Sequence, residues 1–553
     1  MPPIPDVINK VPMMYRAQVD GRCQLQRLVR ADEQDAQRWT KEWTERTYPH
    51  APQFGKEVQT RTYQISWRFV TNAGQDDGII RPVVGAKGWP FYPGSSMKGL
   101  FRSACNPQQK RRYCGYELSN GDMAPGILRF HGGYPTNKKW VEKLLDLVHP
   151  QQDYQVKKGN AHHAAFMMIS LYQPELVFGI SSTEDLSDQE WAEIWQIWEK
   201  AMAKGLGSRV CAGYGHPSNI SGDELYPPHR IHGRGMASKT LSGAEFRPNM
   251  FRAAIRGHAL RIFGGLVPAN IAEREVDKLF GGLGHREPIV GLVGMKFVAD
   301  ELEIGRHGRG HFEVRTYDVT GQLSWLLTRP LPDAHREALK NLILRLNQFA
   351  MILGGFGKSW RRIDHPLFFP EYYNKPNKSY IGCHWEWIDK FQRDVQIAAP
   401  KHLQQFMDTR LLPVAKEWLK LQGVTLNNQY AQEWRESWHP TKVQVWGRIA
   451  QDKEDSIAVH WFHQPYYEDN RRGIRRTIKG TALTGRLGTI GRIWHRMYPK
   501  FNFSQGDTPK RTKGYVELIT IFPDQSPECR QFLTFLQQEQ QDFQKVWPVN
   551  KNY

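Results

Sequence analysis

At 553 residues the chain is longer than one hydrophobic core organises, and at roughly 150 residues per domain three or four units are expected. A hydrophobic fraction of 40%, with 26 Phe, 19 Trp and 21 Tyr, excludes a disordered chain. The 75 Lys and Arg against 56 Asp and Glu leave a formal charge of +19, which points to a polyanionic partner, and six Cys without a CxxC pair exclude a disulfide framework and a zinc finger.

The first residues, Met1-Pro2-Pro3-Ile4-Pro5, carry no basic segment followed by an apolar core, and no run of about 18 apolar residues occurs. Secretion and membrane spanning are not expected, and a cytoplasmic location is. The first clear element spans residues 64–69, where Ile65, Trp67 and Phe69 alternate with Gln64, Ser66 and Arg68 as in a half-buried strand. Asp76-Asp77-Gly78 then reads as a turn. Pro93-Gly94 fixes a second turn, Ser95 and Ser96 offer hydroxyls for a helix cap, and Lys98 and Arg102 fall one helical turn apart on one face. First-turn N–H groups flanked by cations suit the phosphates of a nucleic-acid backbone.

Leu176-Val177-Phe178 has strand character. A helix follows, with Ser187 and Glu190 at capping-box spacing and Trp191, Ile194, Trp195, Trp198 and Met202 on one face. It runs into the glycine-rich basic loop Gly205-Leu206-Gly207-Ser208-Arg209, continuing to Gly213-Tyr214-Gly215. The same order returns downstream. Pro248 opens a helix carrying Arg252 and Arg256, Leu323 to Leu327 reads as a strand, and a helix with Asp333 as its cap buries Leu339, Leu342, Ile343, Leu346 and Phe349. Gly354-Gly355-Phe356-Gly357-Lys358-Ser359 then leads to Arg361 and Arg362. The first cation of each turn-helix lies at a similar distance from its glycine loop, which predicts a divergent internal repeat. Neither loop is a nucleotide-binding fingerprint: Ile352 stands where a Walker glycine is required, and Val210 where a dinucleotide loop needs its third glycine.

Past Pro370, Val443 to Trp446, Ile457 to Trp461 and Tyr515 to Ile519 read as strands, with the glycine-basic stretch Gly485 to Arg492 between the last two. This region is either a degenerate third module or an extension of the second.

The stretch from Phe91 to Ala104, followed about a hundred residues later by Gly205 to Gly215, resembles the RAMP superfamily of CRISPR-associated proteins, and residues 246–265 with the loop from Gly354 are similar to a second, less typical copy. The resemblance implies an α+β fold of tandem ferredoxin-like (RRM-like, RAMP) βαββαβ modules with a C-terminal α/β extension. The corresponding division is residues 1–58 as an N-terminal extension, 59–225 and 226–372 as the two modules, and 373–553 as the extension. It implies a guide-RNA-binding backbone subunit of a type III CRISPR effector complex, with guide RNA, target RNA and other effector subunits as partners and no membrane. Matched residue by residue, Ser95, Ser96, Lys98, Arg102, Arg209 and Tyr214 of the first module, and Arg252, Arg256, Lys358, Arg361 and Arg362 of the second, would contact guide phosphates.

Some members cleave the paired target RNA with an aspartate between the first strand and the turn. That role would fall to Asp76 or Asp77 holding Mg2+ or another divalent metal. This sequence departs from the pattern in having Ile80 and Arg81 at the usual acidic position. The equivalent stretch of the second copy, residues 234–246, has only Glu245, so that copy is expected to be inactive. Metal-independent processing of precursor guide RNA and a purely structural assembly role are the alternative readings. No organic or nucleotide cofactor is expected.

Overall fold

The computed structural model describes residues 33–71, 74–76, 79–148, 153–158, 166–240, 243–283, 288–357, 363–373, 378–388, 395–485, 490–503 and 509–549. The architecture is mixed α+β, with several small sheets around three principal antiparallel ones. No helix among the described residues is long and apolar enough to cross a membrane.

The first sheet contains β1 (Gln59–Gln64), β2 (Leu128–Pro135) and β3 (Glu175–Ser182), ordered β1-β3-β2. Helix α1 (Gly94–Ala104) lies between β1 and β2, and α2 (Asp188–Met202) follows β3. Beyond β1, Ile65 bridges to Pro217, and Ser218 N donates to Gln64 O at 2.8 Å, so the segment after α2 returns to the free edge of the first strand.

The second sheet contains β4 (His229–Met236), β5 (Val293–His307), β6 (Val314–Leu327) and β7 (Cys383–Trp387), ordered β5-β6-β4-β7. Helices α3 (Asn249–Gly264) and α4 (Ala269–Phe280) join β4 to β5, and α5 (Asp333–Phe349) lies between β6 and β7. The third sheet contains β8 (Gln444–Ala450), β9 (Ile493–Asn502), β10 (Lys510–Ile521) and β11 (Gln544–Trp547), ordered β9-β10-β8-β11. Its helices are α6 (Ile457–His463), between β8 and β9, and α7 (Pro527–Gln538), between β10 and β11. In each sheet, then, the order across the strands is second, third, first, with the fourth segment on the far edge of the first.

The helical stripes read from the sequence are the ones buried. Ile194, Trp195, Trp198 and Met202 of α2 pack on Phe178 and Ile180 of β3 together with Met97 and Phe101 of α1. A buried aromatic of this size removes roughly 150–250 Å² from water, about 4–6 kcal/mol at ~25 cal/mol per Å². Ser187 caps α2 by accepting from Glu190 N. At α5 the expected cap is displaced by one residue: Pro332 occupies the cap position and Asp333 is the first helical residue.

Two expectations change. Ile457 to Trp461, read as a strand from its β-branched and aromatic residues, forms α6, which starts where Ser456 accepts from Val459 N. Arg68, assigned to the solvent face of the 64–69 alternation, is fully buried, because Ile65 to Trp67 interrupts the strand and the far side of Arg68 is covered by residues near 245.

Candidate nucleic-acid interface

Helix α1 begins directly after Pro93, and no side chain caps its amides. The expected serine cap is therefore not made: Ser95 and Ser96 sit inside the first turn, exposed beside Lys98, while Met97 and Phe101 turn into the core. Arg102, exposed on the same helix, donates to Gly115 O at 2.9 Å.

Close backbone approach holds this turn in place. Tyr92 exchanges two 2.9 Å hydrogen bonds with Gly133 of β2, and a Cβ built on Gly94 would lie 2.0 Å from Phe130 O. Only glycine fits there. Gly94→Ala is expected to destabilise the chain by about 1–3 kcal/mol through overpacking against backbone that cannot retreat, measured by urea denaturation.

The first glycine-rich loop is bound to the neighbouring chain by backbone. Leu206 N donates to Gly215 O at 2.9 Å, Ser208 N to Val70 O at 2.9 Å and Gly215 N to Arg68 O at 2.7 Å. Gly207, with φ +73°, approaches Val70 O so closely that a Cβ would sit 2.0 Å from it. Tyr92, whose hydroxyl burial pushes up to about 12, lies with its ring 5.9 Å from that of Phe69, and the Phe69 ring edge would meet a Cβ on Gly207 at 3.2 Å. Tyr92 immediately precedes Pro93, so the two motifs read separately from the sequence share one core through Tyr92, Phe69 and Leu206.

The loop that carries the aspartates starts and ends on the same surface. Val83 N donates to Thr71 Oγ1 at 2.7 Å, and Phe91 N to Val83 O at 2.9 Å. Asp76 ends a short strand, Gly74–Asp76, that pairs with Ile79–Arg81, and Asp77 lies outside the described residues. Among the residues whose side chains are described, no group of three His, Cys, Asp or Glu is placed to hold a metal.

Other predicted contacts are turned inward. Tyr214 is 1% exposed; burial and the carboxylate of Asp146, to which its hydroxyl donates at 2.8 Å, push its pKa up. A phosphate outside the fold cannot reach that hydroxyl. Arg209 is half-buried at a left-handed φ of +61°, and burial pushes its pKa down. In the second unit, Arg256 is buried in ion pairs with Asp153 and, at 2.7 Å, with Asp277. Arg252 is half-buried, with burial bringing it down to about 10, and its guanidinium lies 5.9 Å from the Phe280 ring. Lys358, Arg361 and Arg362 lie outside the described residues. The first unit thus brings Ser95, Ser96 and Lys98 together on an open surface next to the glycine loop, and among the described residues of the second the corresponding turn, at Arg247 and Pro248, is buried.

A buried charge cluster behind this surface was not foreseen. Arg68 binds Glu245, at 2.9 Å through Nε, and Ser170 Oγ at 2.7 Å; Trp67 Nε1 donates to Glu245 Oε1 at 2.8 Å; Arg247 pairs with Asp146 at 2.7 Å. Glu245, the lone carboxylate of the second copy's loop, is thereby committed to joining the units. The available signal was Glu245-Phe246-Arg247, a charged pair flanking an aromatic beside the second turn, but its partners are about 100 or more residues distant in sequence.

The fold and the site define a mixed α+β chain of like-ordered sheets with one open, cation-bearing turn-helix. No family model matches the chain, and no curated protein matches it. Among solved structures, it is similar to a chain in a cryo-EM structure of the type III-B Cmr-beta bound to cognate target RNA, at 14% identity over 38% of this chain and 88% of that one, with a TM-score of 0.25. A likeness of that size carries no argument, and the functional reading below rests on the residues.

Proposed function

We propose that the chain is an RNA-binding backbone subunit of a type III CRISPR effector complex, built from ferredoxin-like units in tandem, and that the open face of its first unit holds phosphates of the guide strand. The observation that carries this reading is the shared core of Tyr92, Met97 and Phe101 of the turn-helix with Phe69 and with Leu206 of the glycine loop, which sets the Ser95-Ser96-Lys98 turn beside that loop. Two stretches that resemble the RAMP motifs, about a hundred residues apart, thereby form one surface. The strand order second, third, first, fourth, with a helix after the first and after the third strand, supports the ferredoxin-like assignment. The charge of +19 supplies the long-range attraction.

Phosphate contacts position a strand without reading its bases, so binding should be tolerant of sequence and steep in salt. The double variant Lys98→Ala/Arg102→Ala is expected to weaken single-stranded RNA binding for all sequences alike. The slope of log affinity against log salt should become shallower by ~0.7 for each phosphate that is no longer neutralised. Fluorescence anisotropy with a labelled oligonucleotide over a salt series measures both. Unchanged affinity and slope would overturn the proposal.

A further inference from the structure

Beyond strand order, the three sheets share one backbone clasp. In the first, Gly115 with φ +92° meets Gly126 just before β2; in the second, Gly281 with φ +78° meets Gly291 before β5; in the third, Gly485 has φ +78° and Gly491, before β9, meets the two residues ahead of Gly485, a Cβ there lying 2.8 Å from Leu483 O and 3.0 Å from the Thr484 carbonyl carbon. The residue after the second glycine donates back toward the first: Ile127 N to Arg112 O and Leu292 N to Lys278 O, both at 3.0 Å, and Arg492 N to Leu483 O at 2.8 Å. The same residue's carbonyl accepts from the end of the third strand: from Thr183 N at 2.9 Å, Thr328 N at 3.0 Å and Phe522 N at 2.9 Å. The C-terminal third thus shares the strand order and the clasp of the first two units, although it lacks the proline-glycine-serine turn.

In this third unit the surface used by the first unit is sealed. The amides opening α6 are taken by the chain's own carboxylate: Glu517 accepts from Ile457 N at 3.2 Å and Ala458 N at 3.1 Å, and also from Ser456 Oγ. The sheet face away from α6 and α7 is covered as well, since Trp494, Val516 and Leu518 belong to the core formed by α3 and α5, and Arg496 Nε donates to Met351 O at 3.0 Å.

What the third unit does expose is an insertion between α6 and its glycine clasp. Tyr467–Asp469 and Ile474–Arg476 pair as a hairpin, whose turn is held by Asp469 accepting from Arg471 N and Arg472 N. Residues 467–480 carry Arg471, Arg472, Arg475, Arg476 and Lys479 against Glu468 and Asp469. The Arg472 and Arg475 side chains are 79% and 70% exposed and make surface pairs, Arg472 with Asp469 at 3.8 Å and Arg475 with Glu468 at 3.1 Å. Such exposed pairs hold little energy and yield readily to another anion. Four of the five cations are arginine, whose planar fork matches phosphate oxygens two at a time.

We infer that the third unit contacts the RNA through this hairpin and not through its turn-helix, its partner being the sugar-phosphate backbone of a single strand. The inference rests on the proposed RNA-binding function and adds a second, separate contact to it. The full chain and two variants, Arg471→Ala/Arg472→Ala/Arg475→Ala and Lys98→Ala/Arg102→Ala, should be titrated with the same labelled single-stranded RNA over a salt series. The hairpin variant is expected to melt as the native chain does, and its salt slope to become shallower by about 2, three phosphates at ~0.7 each. If the hairpin variant binds like the native chain while the Lys98/Arg102 variant is weakened, the hairpin inference is overturned and the first-unit site stands. If only the hairpin variant is weakened, the inference stands and the first-unit site falls. Native behaviour of both variants overturns both, and a hairpin variant whose sole defect is failure to hold an acidic protein partner in a pull-down of the assembled complex overturns the hairpin inference alone.

Discussion

Glu245→Ala is expected to lower the free energy of unfolding by about 3–5 kcal/mol, the cost of leaving a buried charge without its partner. Arg68, with no exposed side-chain surface, would keep only Ser170, the carbonyl of Lys143 and the more distant Asp146, 3.9 Å away. Trp67 Nε1 would lose its acceptor in the same step. The cluster would then hold the Arg68 and Arg247 guanidiniums against the single carboxylate of Asp146. Removing charge from both sides should cost less, because an apolar pair leaves the Trp67 indole N–H without an acceptor but strands no guanidinium without its carboxylate. The double variant Arg68→Met/Glu245→Leu is therefore expected to recover much of the loss in urea denaturation. A double variant no more stable than Glu245→Ala would show that the ion pair is not what joins β1's continuation to the second turn.

That cluster also marks where sequence reasoning stops. A period of two tells which side of a strand faces its own core, and for Ile65 and Phe69 it did so correctly, whereas Trp67, past the break in the strand, turns into a separate cluster with Tyr214 and Val70 and bonds Glu245. The period carries no information about what covers the other side, and at Arg68 that side meets residues 177 positions away. The tryptophan stripe of α2 was legible because one helix and one sheet explain it. Residues 457–461 were not, because a capping serine and a carboxylate at 517 override their strand propensity. The open turn at Ser95, Ser96 and Lys98 could be found from its residues, whereas the inward direction of Tyr214 and Arg256 depends on partners that only the fold brings near. The third sheet has hydrogen bonds and glycine positions rather than side chains in common with the other two, so it was visible in the sequence only as two strands, 443–446 and 515–519, and the stretch Gly485 to Arg492.

Glu517→Gln is the second large effect expected, again about 3–5 kcal/mol at neutral pH, because one carboxylate serves Arg448 Nε at 2.6 Å, His495 Nε2 at 3.0 Å and two amides of α6. Burial alone would raise the pKa of this carboxyl; His495, Arg448 and Ser456 outweigh it and hold the group below its ordinary range. Glu386 behaves alike, with burial opposed and overcome by His384 and Arg511. A carboxyl depressed in the folded chain gives its full stabilisation above the unfolded value, near ~4.3, and loses it as pH falls toward the folded one. Urea midpoints should therefore decline below about pH 4.3, these two groups acting with Glu190 and Asp455, which are also held down, and the decline should be shallower in Glu517→Gln, which has one depressed carboxyl fewer to protonate. A variant whose acid limb runs parallel to that of the native chain would mean that the α6 amides, and not the charge on Glu517, hold the third unit together.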